Sequence, residues 1–136
     1  MSMYGLDPTE VTTSQKEVLG TIKIQPATGA SAESFEEAGP RWWRYVKAAS
    51  ALGAGEAAVI ATTAVNYGAV AKTRVAGITQ NAIPLGSYGW VLCLGLCNIK
   101  DSGAGMSAGD SITSASGGII TMGAGTEEAV IGHAAA

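Results

Sequence analysis

Few side chains in this 136-residue sequence could do chemistry. The one histidine, His133, stands close to the last residue, a poor place for a general base. The two cysteines, Cys93 and Cys97, are four positions apart. On a strand they share a side but lie about 13 Å apart at ~3.3 Å per residue. A disulfide needs Cα atoms within about 7 Å, so the pair reads as two buried small hydrophobes. One histidine and two cysteines do not make a zinc or iron–sulfur ligand set. Glu56 and Asp110 each follow an Ala-Gly pair. They read as turn residues whose carboxylates accept local backbone N–H groups, not as an acid/base couple. No glycine-rich phosphate loop and no Gly-x-Ser-x-Gly elbow occurs. The expectation is a non-enzyme with no catalytic residue, no cofactor and no metal.

The composition narrows the class further. Gly occurs 19 times, and Ala, Ser and Thr are also abundant. Charged residues are 14%, against about 25% in an average soluble domain. A net charge of −3 with eight Lys+Arg argues against a nucleic-acid binder, which needs a basic face. No apolar run approaches the ~20 residues of a membrane span. The first ten residues lack the basic-then-apolar layout of a signal peptide. The 47% hydrophobic content is enough for a core.

Charge divides the chain near Pro40. Residues 1–40 carry six acids (Asp7, Glu10, Glu17, Glu33, Glu36, Glu37) against two bases (Lys16, Lys23). Residues 41–136 carry five acids against six bases. The first region holds one short strand-like stretch, Val18 to Ile24, then a polar loop. It is expected to be an acidic N-terminal arm that orders against a neighbour, or else a frayed terminus.

The second region alternates short apolar runs with Gly-rich turns. Strands are predicted at Trp42 to Lys47, Ala57 to Thr63, Ala69 to Ile78, Gly89 to Lys100, Ser111 to Ser114, Gly118 to Met122 and Ala129 to His133. One helical turn is allowed within Lys47 to Leu52. Many short strands with closely spaced turns argue an all-β fold, a small barrel or sandwich. Tyr45-Val46-Lys47 followed by Ala54-Gly55-Glu56 is echoed by Asn98-Ile99-Lys100 followed by Ala108-Gly109-Asp110. Val75-Ala76-Gly77-Ile78 is echoed by Val130-Ile131-Gly132-His133. These echoes divide residues 41–136 into two similar halves, about 44–90 and 91–136.

Two features carry apolar surface. In Tyr88 to Ile99, Trp90, Leu92, Leu94 and Leu96 alternate onto one face, while Val91, Cys93 and Ile99 take the other. A strand apolar on both sides is buried on both, within the chain or against another copy. Trp42 and Trp43, flanked by Arg41 and Arg44, point to opposite faces of a strand. Either one is a protein-binding anchor with an arginine rim, or one is core and the other covers it. Candidate interaction residues are therefore Val18, Ile22, Ile24, Arg41, Trp42, Trp43, Arg44 and Trp90.

The series Arg44 to Glu56, Val75-Ala76-Gly77-Ile78, Gly86-Ser87-Tyr88-Gly89-Trp90-Val91 and Ser107 to Ile112 resembles the decoration, or cement, proteins of tailed-bacteriophage heads. The likeness covers residues 41–136 and leaves the acidic arm unmatched. It implies a small Greek-key or tulip-like β barrel with an extended N-terminal arm, assembled as a homotrimer. It further implies a virion protein made in the host cytoplasm and placed on the outer capsid surface, with the major capsid protein as partner. Nucleic acid and membrane are not expected partners. The rival readings are another virion component, such as a fibre base or tail protein, and a small β-barrel ligand-binding module.

Overall fold

The computed structural model describes residues 6–26, 40–60, 64–66, 75–100, 107–115, 118–121 and 132–133. Among the described residues nine strands form: β1 (Ile22–Gln25), β2 (Arg41–Lys47), β3 (Ala57–Ile60), β4 (Ala64–Asn66), β5 (Val75–Thr79), β6 (Tyr88–Leu94), β7 (Ser111–Ala115), β8 (Gly118–Thr121) and β9 (Gly132–His133). No helix occurs among the described residues, so the fold is all-β as expected. The helical turn allowed within Lys47 to Leu52 is absent. That segment bends between two bridges, with Ala48 bonded to Ser87 and Leu52 to Ile83.

Six strands make one antiparallel sheet in the order β1-β2-β6-β5-β3-β4, and β8-β7-β9 form a second sheet. At the centre lie β2 and β6, paired from Trp42↔Leu94 to Lys47↔Tyr88. Alternation gives them two apolar faces. Trp43, Tyr45, Trp90 and Leu92 gather on one, and Leu6 covers them. Val46 and Val91 take the other, with Ala48, Leu52, Ala58, Ala76 and Ile83. Burying a large apolar side chain contributes roughly 1.5–3 kcal/mol, so this double-sided pair dominates the fold energetically.

The expected strand Gly89 to Lys100 ends early, at Leu94. Gly95 takes φ +122°, which turns the chain out of the sheet across the start of β2. A Cβ there would lie 3.1 Å from the Pro40 carbonyl oxygen. Leu96 therefore does not continue the Trp90 and Leu92 face.

Residues 6–26, expected in an arm, belong to the sheet and its cover. Leu6 is 2% exposed. Thr12 forms a reciprocal backbone bridge with Tyr88, and β1 pairs with β2 from Ile22↔Arg44 to Gln25↔Arg41. Over these residues no packing boundary falls at Pro40. Residues 1–5 and 27–39 lie outside the described residues.

The two echoed Ala-Gly-acid turns do share one structure. Glu56 accepts the Gly53 N–H at 2.9 Å, and Asp110 accepts the Ser107 N–H at 2.7 Å. Gly55 and Gly109 hold φ +78° and +88°, the left-handed region in which glycine is unstrained. The first turn is also tied down by Thr79, which is fully buried. The Thr79 hydroxyl donates to the Gly53 carbonyl and accepts the Glu56 N–H at 3.0 Å. The second half of the proposed repeat, beyond β7, lies largely outside the described residues, as does the Val130 echo.

Candidate interaction surface

The distinctive surface begins at β1. Cross-strand partners project from the same side of an antiparallel sheet. Ile24 is paired with Trp42, and Trp42 with Leu94, so three apolar side chains form a row across β1, β2 and β6. Ile22, paired with Arg44, stands beside the row. All four apolar groups are solvent-facing: Ile22 44% exposed, Ile24 50%, Trp42 38% and Leu94 55%. The loops that cover Val46 and Val91 on this face do not reach them.

A register shift between Trp42 and Trp43 builds the row's far end. Trp43 pairs with Leu92 and Trp42 with Leu94, leaving Cys93 as the extra residue of a bulge. The Cys93 thiol donates to the Trp42 carbonyl at 3.2 Å. Arg44 is half-buried and makes no ion pair among the described residues. It sits as a cationic neighbour to an apolar patch.

The expected interaction residues separate into distinct environments. Ile22, Ile24, Trp42 and Arg44 come together on the patch. Val18 is 75% exposed but lies at the tip of the turn before β1. Arg41 alternates to the opposite side, where it lies against Gly95 and near Cys97. Trp43 and Trp90 are corrected: both are buried, at 2% and 5% exposed, and form core. The Trp43 indole donates to Gln25 Oε1 at 3.0 Å, and Trp90 packs on Tyr45 with ring centroids 5.1 Å apart. Strict alternation would place Leu94 on the Trp90 face, and the bulge at Cys93 moves it to the Trp42 side.

Titratable groups make no catalytic arrangement among the described residues. No three of His, Cys, Asp and Glu cluster there as metal ligands. Glu56 is engaged with Gly53 and with Lys100, whose Nζ lies 3.5 Å away. Asp7 is held below the usual carboxylate range, chiefly by the Thr9 hydroxyl it accepts. Burial pushes both thiols up, against a weaker opposing effect from Arg44 at Cys93 and Arg41 at Cys97. Cys93 belongs to the bulge beside Trp42, and Cys97 packs against the Trp43 core.

A small cavity of about 80 Å³ is lined by Glu10, Thr12, Lys16, Glu17, Tyr45 and Trp90. Its charges are already paired, Lys16 with Glu10 at 3.2 Å and Glu17 with Lys23 at 2.6 Å. The Tyr45 hydroxyl accepts the Lys16 N–H at 3.0 Å. Ligand pockets usually enclose ~300–1,000 Å³.

No protein-family model, no curated protein and no solved structure matches this chain.

Proposed function

We propose that this chain is a non-catalytic structural protein that binds the outer surface of a tailed-phage capsid and stabilises the head by bridging major capsid protein subunits. The observation that carries the reading is the exposed Ile24, Trp42 and Leu94 row. These side chains remain 38–55% exposed, so much of their apolar surface is left uncovered by the fold. Tryptophan anchors are enriched at protein interfaces, and Arg44 supplies a polar rim beside them. Attachment at many equivalent lattice positions needs only modest affinity at each. The resemblance of residues 41–136 to cement proteins supplies the partner. It brings with it a barrel-like closure of the strands and a shell-reaching segment within residues 1–40.

The cavity beside Tyr45 and Trp90 is too small and too fully ion-paired for a metabolite, so a ligand-binding module would use another site. A fibre-base or tail protein would use the same patch, and copy number per particle distinguishes it.

The test is co-sedimentation of the purified chain with capsids of the phage that encodes it. The native chain pellets with capsids, and Trp42→Asp lowers retention at least about tenfold while circular dichroism stays that of the native sheet. A native chain that stays in the supernatant, or a variant retained equally well, overturns the reading.

A further inference from the structure

We infer that two copies of this chain pair antiparallel through β1, joining their sheets into one. The backbone phase of β1 leads to this. The Tyr45 N–H donates to the Thr21 carbonyl at 2.9 Å, just before the Ile22↔Arg44 pair. Hydrogen-bonded and non-bonded pairs alternate along an antiparallel ladder. Lys23 and Gln25 therefore bond back to β2, while the N–H and C=O of Ile22 and Ile24 point to the open side. Among the described residues no strand takes that side.

A second copy fits this edge better than an arbitrary strand. Across a two-fold axis at Lys23, Ile22 of one copy meets Ile24 of the other, twice. Each meeting satisfies both outward N–H groups and both outward carbonyls, so the four orphan donors and acceptors of each β1 are consumed. The side chains match as well, isoleucine on isoleucine on the side of the Trp42 patch. Lys23, the one charge on β1, would face its symmetry mate, a like-charge placement that opposes pairing and that Glu17 offsets from 2.6 Å within each copy. Its ammonium also lies 5.5 Å from the Trp90 ring, drawn back over its own sheet. Pro26 follows β1 directly and has no N–H to extend the ladder, which disfavours registers slid toward it. An unlike partner strand would need none of these coincidences.

The consequence is a longer apolar stripe. Leu94, Trp42 and Ile24 of one copy run on into Ile22 of the next, and the mirrored row lies alongside. This inference stands whether or not the stripe meets a capsid.

Analytical ultracentrifugation across the micromolar range tests it. The expected result is a concentration-dependent species of twice the 13.6 kDa chain mass. Ile24→Pro removes only an outward-pointing N–H, so it abolishes the species while circular dichroism stays that of the native sheet. Lys23→Cys places a thiol on the axis and yields a reducible dimer on mild oxidation, whereas the native chain, carrying only Cys93 and Cys97, does not. The double variant Ile22→Lys/Ile24→Glu restores pairing that Ile24→Glu alone destroys. A strictly monomeric native chain overturns the inference, and so does the homotrimer that the cement-protein resemblance implies, formed without a species of twice the chain mass. So does an oligomer that survives Ile24→Pro and is not captured by Lys23→Cys. Capsid co-sedimentation of the monomer would leave the proposed function standing in either case.

Discussion

Trp43 is 2% exposed and donates its indole N–H to Gln25, while its neighbour Trp42 keeps 38% of its surface in solvent. The two therefore answer to different measurements. Trp43→Ala is expected to lower unfolding free energy by about 3–5 kcal/mol in urea titration, the cost of a large core cavity. Trp42→Ala is expected to cost less than about 1 kcal/mol, because little packing is lost. Equal losses would mean that Trp42 is core. The cysteines respond to pH. Burial raises both thiols above the ordinary value of 9.0, so the folded chain holds these protons more tightly than the unfolded chain. That contribution to stability is complete below pH 9.0 and is lost as pH rises through the raised folded values. Labelling by a thiol reagent at pH 8 should be slow on the native chain and rapid in denaturant. Rapid native labelling would show the thiols to be accessible and ionised.

At the scale of elements, one turn is used four times among the described residues. Val18 to Thr21, Gly53 to Glu56, Pro84 to Ser87 and Ser107 to Asp110 each place glycine third, with φ between 78° and 88°, and each leads directly into a strand. The Ala-Gly-acid pair was legible as a repeat, and Pro84-Leu85-Gly86 as a turn. Val18 to Thr21 was absorbed into a strand because its apolar residues mask the turn, although Gly20 marks it. The surroundings of these glycines differ. A Cβ at Gly86 meets nothing within 4 Å, whereas one at Gly55 would lie 2.7 Å from the Lys100 backbone nitrogen. Gly86→Ala should cost about 1–2 kcal/mol from the left-handed backbone alone. Gly55→Ala should cost roughly a further 1–3 kcal/mol, because backbone must move. Matched thermal melts of the two variants check this, and equal shifts would remove the crowding argument.

For the molecule as a whole, the N-terminal residues decide how it is built. An arm should be removable without harm to the domain. Here residues 6–26 supply Leu6 to the core, the Thr12 bridge to Tyr88 and all of β1. Deleting residues 1–39 is therefore expected to abolish cooperative unfolding or lower the melting temperature by more than about 10 °C, at roughly 4–8 °C per kcal/mol for a small domain. A truncated chain that melts as the native one does would restore the arm.

Strand identity was written in the local pattern of Val, Ile, Trp and Tyr between glycine turns, because alternation and turn chemistry act over a few residues. The double-sided burial of Trp90-Val91-Leu92 followed from the same pattern. Which tryptophan faces water did not, because both are equally apolar and only the loops folded over each side distinguish them. The reach of β6 was also hidden, since Gly95 turns the chain there by passing over Pro40, far away in sequence. The Ile24, Trp42 and Leu94 row exists through pairing of three distant segments and one bulge at Cys93, and such long-range register is set by the packed sheet, not by neighbours along the chain.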